Sequence, residues 1–148
     1  MVDVATTMVI NRPRMTVAEY ATEPDNAPKW YKNIKSAALK TPRPMAVGSL
    51  VDFEAHFLGK KLIYTYECKE YLPGQKLVME TSSGPFRMQT TYSWEDAPNN
   101  TTKMSLRNCG YPAGFSKLVT PFMALAIRKA NQQDLVALKS ILENMGAK

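Results

Sequence analysis

The chain is poor in the residues that most enzyme chemistry draws on. It carries one histidine, His56, and two cysteines, Cys68 and Cys109. A mononuclear zinc site takes three or four ligands, and no cluster in this sequence has ligand spacing. The cysteines match no redox or zinc motif and read as buried thiols in a reducing compartment. No run of about 18 apolar residues exists, so no spanning helix is expected. The first residues show no charged-then-apolar leader, and the expected location is the cytoplasm. A phosphate-binding glycine loop and a nucleophile elbow are both missing. No cofactor and no metal are expected.

What is present is an ordinary globular composition. The 148 residues are 45% hydrophobic and 22% charged, enough for one domain, residues 1–148, with a real core. Lys and Arg number 19 against 13 acidic residues, giving a formal charge of +6. Such a balance can serve nucleic acid or an anionic membrane. Here the charges are dispersed; even the densest run, Lys29, Lys32, Lys35, Lys40 and Arg43, is loose. A solvated surface is the simpler account, and no nucleic-acid partner is expected.

Strand patterns dominate the first three-quarters. Thr6 to Asn11 reads as a strand with Met8 and Ile10 on one face. Pro13 ends it, and Thr16 is placed to cap a short helix through Tyr20. Pro24 and Pro28 restrict the next segment to a second short helix ending near Asn33. Ile34–Leu39 is the next strand. Leu50–Phe57 alternates cleanly, with Val51, Phe53, Ala55 and Phe57 inward and His56 outward. A turn at Gly59-Lys60 leads into Lys61–Tyr71, with Leu62, Tyr64, Tyr66 and Cys68 on one side. Lys76–Thr81, Phe86–Trp94 and Thr101–Asn108 complete the series, the last with Thr102, Met104 and Leu106 inward. Short turns between them make these strands antiparallel neighbours.

The last forty residues change period. Thr120-Pro121 reads as a helix start, and Phe122, Leu125, Ala126, Leu135, Leu138, Ile141, Leu142 and Met145 recur at spacings of three and four. The helix is about 37 Å long at ~1.5 Å per residue, and only the sheet can bury its stripe. A twisted sheet cannot lie flush against a straight helix, so large side chains or a ligand must fill the gap. The expected lining is Trp30, Phe53, Phe57, Tyr64, Tyr66, Met79, Phe86, Met88, Tyr92, Trp94, Met104, Phe122 and Met123. Aromatics and methionine of this kind suit an apolar ligand site. Tyr64, Tyr66 and Tyr92 can offer hydroxyls there. Asn131 and Asp134 interrupt the apolar helix positions, facing either the ligand or solvent. Arg87 and Arg107 fall outward by parity. The loop Gly110–Phe115 is a candidate gate.

Several segments then resemble a known group. Ile10-Asn11-Arg12-Pro13 with Val17-Ala18-Glu19-Tyr20, Pro24-Asp25-Asn26 and Trp30 is similar to the N-terminal signature of the START-like superfamily, polyketide cyclase/dehydrase and lipid-transport branch. Glu67 to Gly74 resembles that family's fourth strand and turn. Thr91 to Glu95 with Thr102 to Arg107 resembles its final hairpin, and Arg128 to Glu143 its terminal helix. The resemblance implies an α+β helix-grip fold: a curved antiparallel sheet of about seven strands, two short helices, and a long C-terminal helix over a central cavity. It also implies a bacterial origin and a hydrophobic small-molecule partner such as a lipid, polyketide or aromatic metabolite, bound for transport or sequestration. The alternatives are a cyclase or dehydratase on the same pocket, and a partner-binding module without a ligand. Fold alone does not choose among them. Oligomeric state is not readable from the sequence.

Overall fold

The computed structural model of the protein describes residues 2–84, 87–111 and 120–146. Seven strands form one antiparallel sheet: β1 (Val2–Ile10), β2 (Ile34–Leu39), β3 (Leu50–Phe57), β4 (Lys60–Leu72), β5 (Lys76–Ser83), β6 (Arg87–Ala97) and β7 (Thr101–Tyr111). Their order is β1-β7-β6-β5-β4-β3-β2. Every neighbour after β1 is a chain neighbour, as short turns dictate; β1 instead pairs with β7 from Val2↔Gly110 to Ile10↔Thr102. Helices α1 (Arg14–Thr22) and α2 (Ala27–Trp30) lie between β1 and β2, linked by a 3-10 turn at Pro24–Asn26. Helix α3 (Thr120–Gly146) ends the chain. The expected helix-grip architecture is therefore observed.

Local differences have local causes. Helix α1 begins at Arg14, with Pro13 rather than Thr16 at its N-cap position. Pro13 holds φ at −60° and its carbonyl accepts from Val17 N at 3.0 Å, so the first turn closes ahead of Thr16. The β3–β4 turn is Leu58-Gly59, one residue before the expected Gly59-Lys60. Both turn residues have positive φ, 50° and 78°, which matches the twist of a two-residue hairpin. Phe86 and residues 112–115 of the candidate gate lie outside the described residues.

The β4–β5 register shifts twice: Ser82 of β5 is the extra residue where Thr65 and Tyr66 face Ser83 and Thr81, and Lys69 of β4 is the extra one where Cys68 and Glu70 face Met79 and Val78. A third shift interrupts β2 against β3 between Ile34 and Ser36. Such irregularities bend a strand and increase its twist. They curl the sheet around its inner face.

Helix α3 closes that face, but not in the phase that Phe122 and Leu125 suggested. Phe122 is 69% exposed and Leu125 60%, whereas Met123 is 1% and Leu135, Leu138 and Leu142 are 0%. Met145 is also exposed. A helix turns about 100° per residue, so with Leu135, Leu138 and Leu142 inward as expected, Met123 and not Phe122 is the first inward residue. The buried stripe runs Met123, Asn131, Asp134, Leu135, Leu138, Leu142. It packs in two places. Leu135, Leu138 and Leu142 join the main core with Trp30, Trp94, Met104 and Leu106. Met123 joins a smaller cluster with Val2 and Val4, flanked by Phe57 and Ile127.

This phase predicts that Leu138→Ala lowers stability by about 2–5 kcal/mol, while Phe122→Ser changes it by no more than roughly 0.5 kcal/mol. Urea titration of the two variants checks it; equal losses would restore the other phase.

Candidate ligand cavity

A cavity of about 160 Å³ occupies the interval between the two clusters. Strands β3 and β4 supply Phe53, Ala55, Phe57, Leu62, Tyr64 and Tyr66. The β6–β7 pair supplies Met88, Thr90, Tyr92 and Asn108, the α2–β2 link supplies Tyr31 and Asn33, and β2 begins with Ile34. From α3 come Met123, Ile127, Ala130, Asn131 and Asp134.

The aromatic wall is built by register. Phe53 stands directly opposite Tyr64 across β3–β4, with ring centroids 5.3 Å apart. Tyr66, two residues on and so on the same face, lies 5.1 Å from Tyr64 and 5.6 Å from Phe53. The Tyr31 and Tyr92 hydroxyls hydrogen-bond to each other, 61 residues apart in sequence. Tyr31, Phe53 and Tyr92 also border a second space of about 30 Å³, which Met79 lines from the far side.

The polar side of the cavity is a single chain of hydrogen bonds. Thr90 and Asn108 are register partners on β6 and β7. Thr90 Oγ1 donates to Asn108 Oδ1 at 2.7 Å. Having spent its only hydrogen, it must accept from Tyr66 Oη at 3.0 Å. Asn108 Nδ2 donates to Asn131 Oδ1 at 3.1 Å. There the chain stops: Asn131 Nδ2 is buried without a partner among the described residues. One turn later on α3, Asp134 Oδ1 accepts from the Lys32 backbone N–H at 2.9 Å.

Burial sets the protonation states. It pushes the Tyr66 phenol up to about 12, and holds Tyr31, Tyr64 and Tyr92 well above their ordinary value. All four are neutral hydroxyls at physiological pH, not phenolate bases. Burial also raises the Cys68 thiol, which keeps it from nucleophilic work. Asp134 differs. Desolvation raises its carboxyl to about 6, against the opposing hydrogen bond from Lys32. A carboxyl near neutrality in a cavity can donate or accept a proton.

The sequence-derived lining set divides accordingly. Phe53, Phe57, Tyr64, Tyr66, Met88, Tyr92 and Met123 meet at the cavity, and Met79 reaches only the smaller space. Trp30, Trp94 and Met104 do not line it. Trp94 and Met104 are register partners in the main core, beyond the cavity, and Trp30 stacks behind Tyr31 at 3.9 Å. Phe122 points outward. His56 is exposed, Arg87 is exposed, and Arg107 is held by Asp3 on the outer surface at 2.6 and 2.8 Å, all as parity indicated. Strand alternation already carried the signal for Ala55, Leu62 and Thr90, and extended by one step it reaches Asn108. Tyr31 and Asn33 sit in a link with no period to read.

The chain matches the family described as polyketide cyclase / dehydrase and lipid transport over residues 1–143. It belongs to that family. The fold recurs in solved structures of low identity. TTHA0849 from Thermus thermophilus is 16% identical with a TM-score of 0.82, covering 97% of this chain and 98% of that one. A START superfamily protein from Mycobacterium smegmatis is 11% identical with a TM-score of 0.81, over 97% and 98%. The Zhui aromatase/cyclase from Streptomyces sp. R1128 is 11% identical with a TM-score of 0.78, over 95% and 93%. No curated protein matches the sequence. Among the described residues, no helix is long and apolar enough to cross a membrane, and no His, Cys, Asp and Glu cluster could hold a metal.

The Asp134 carboxyl makes a pH-dependent contribution to stability. An unfolded aspartate ionises near 3.8 and the folded one near 6. Between these values the folded chain binds more protons, so stability falls as pH rises through the window. By pH 8 the buried charge costs roughly 2–3 kcal/mol. Asp134→Asn is therefore expected to raise the melting temperature by about 5–10 °C at pH 8 and to leave it unchanged at pH 3.5. An equal gain at both pH values in a thermal scan would show that Asp134 does not titrate in this way.

Proposed function

We propose that the protein binds a hydrophobic small molecule in the cavity between sheet and α3, to carry or sequester it. The observation that supports this reading is the walled space itself. Seven strands and a 27-residue helix leave about 160 Å³ unfilled, where protein interiors ordinarily close to the density of organic crystals. An unfilled interior forfeits dispersion contacts along its whole lining, and a bound apolar molecule restores them. Membership of a family described by cyclase, dehydrase and lipid-transport activities agrees with a ligand site.

A second reading is a cyclase- or dehydratase-type enzyme on the same cavity, and Asp134 is the observation in its favour. General acid–base work near neutral pH needs a group such as this. Positioning a flexible substrate against the aromatic wall would supply much of the rest of the rate enhancement. In this reading Asp134→Asn retains binding and loses turnover.

Filling the cavity tests the main proposal. Ala130 lines it from α3, and Ala130→Phe would occupy the space of about one ring. We expect the wild-type protein to bind ethylbenzene in calorimetric titration and Ala130→Phe to lose at least tenfold in affinity while keeping its circular dichroism. Equal affinity in the two proteins would place the ligand elsewhere.

A further inference from the structure

Asp134 is a carboxylate that the protein buries without a counter-ion. The residue is 4% exposed. Its Oδ1 accepts from the Lys32 backbone N–H, and its Oδ2 accepts from no donor among the described residues. Oδ2 is not sealed in as Asn131 Nδ2 is: it keeps open surface, and the open space that Asp134 borders is the cavity. Among the described residues, no lysine, arginine or histidine lines that cavity. Lys32 directs its ammonium to Gln133 Oε1 at 3.4 Å, in solvent, and its charge acts on Asp134 only from a distance. A buried charge is costly unless it is both paired and hydrogen-bonded. One backbone N–H covers half of this one.

The surroundings suit a cation. The Tyr31 and Tyr92 hydroxyls bond to each other, which uses one hydrogen and leaves lone pairs on both oxygens. Burial chiefly, with the Asp134 charge adding, holds both phenols up, so both stand within its electrostatic reach. Phe53, Tyr64 and Tyr66 add ring faces to the same space, and such faces attract organic cations. An ammonium group carries donors and no acceptor, which matches a site of bare oxygens. A neutral hydroxyl fills the vacant bond at Oδ2 and leaves the charge uncompensated. A second carboxylate adds like charge to it.

We propose that the cavity binds a hydrophobic amine in its cationic form, with the ammonium against Asp134 Oδ2 and the apolar body along the aromatic wall. This deepens the proposed function and rests on it. Asp134 acts here as a counter-ion and transfers no proton. The free protein holds the charge unpaired, and the ligand brings its partner.

Three probes share one ring and a short tail and differ in charge: 2-phenylethylamine, 2-phenylethanol and 3-phenylpropionate. They are titrated calorimetrically into the full chain at pH 7.5, where the amine is cationic and Asp134 is ionised. The wild type should bind the amine at least about tenfold more tightly than the alcohol, the scale of one charge-assisted hydrogen bond, and the carboxylate most weakly. In Asp134→Asn the amine and the alcohol should come within about threefold of each other, as neutral partners do. A second readout needs no variant. The carbon-13 resonance of the Asp134 carboxyl, followed against pH, should titrate near 6 in the free protein. A ligand that prefers the ionised form tenfold lowers that midpoint by about one unit. Saturating amine should lower it at least that far, and saturating alcohol by less than about half as much. The proposal is overturned by an amine that binds no more tightly than the alcohol, or by a preference that survives in Asp134→Asn. A midpoint that stays put with amine, or falls equally with alcohol, overturns it too. In those cases binding of the alcohol or of ethylbenzene by the wild type still stands for the cavity reading. Failure of the wild type to bind any of these compounds removes both.

Discussion

Leu135, Leu138 and Leu142 set the position of everything else. These three side chains are completely buried in the second half of α3, in the core cluster that also holds Ile10, Trp94, Met104 and Leu106. Burying a leucine is worth about 1.5–3 kcal/mol, and three at one helix end fix both the axial position and the rotation of α3. Once they are seated, Met123 must reach the separate cluster around Val2 and Val4. The stretch between them is held at a set height above a sheet that curls away beneath it. The cavity is what that geometry leaves over. It arises from the mismatch between a straight helix and a bent sheet, and the register shifts between β4 and β5 fall on either side of Tyr66, which lines the cavity.

The same geometry explains why the cavity is polar on one side only. Helix α3 lines the cavity with apolar Met123, Ile127 and Ala130 and then with polar Asn131 and Asp134. Buried polar groups need partners, and β6 and β7 meet the helix with Thr90 and Asn108 at facing register positions. Opposite, β3 and β4 contribute rings. A molecule entering this space meets stacking surfaces on one hand and directed hydrogen-bonding groups on the other. Under the proposed function, that asymmetry would orient a ligand instead of merely dissolving it.

Much of this was legible in the residues. Alternation placed Phe53, Phe57, Tyr64, Tyr66, Met88 and Tyr92 on inward faces, because a strand exposes its pattern at a period of two and the error cannot accumulate. The helix was harder. Phe122, Leu125 and Met145 are as apolar as Met123 and Ile127, so the sequence offers two overlapping stripes. The choice between them is made by where Leu135 and Leu138 dock. Asn131 and Asp134 looked ambiguous because a polar residue on a helix normally marks the wet side; here it marks a gap. Trp30, Trp94 and Met104 share the chemistry of cavity residues and differ only in lying under the well-packed half of α3. Tyr31 owes its place to the turn between α2 and β2, which no periodicity announces.

The two ends of α3 are fastened very differently. At its C-terminal end Arg12 donates to the Leu142 carbonyl at 2.8 Å, the Asn11 N–H reaches Glu143 at 2.8 Å, and Lys139 Nζ reaches the Val9 carbonyl at 2.9 Å. All three contacts involve the end of β1 or the residues just after it, so the C-terminal part of α3 is tied to the corner between β1 and α1. At the other end Met123 is the single fully buried side chain of the first described turns, beside exposed Phe122 and Leu125. Local opening follows the regions with least burial. The burial that resists opening is therefore concentrated in the second half of α3, where the corner after β1 clasps the helix.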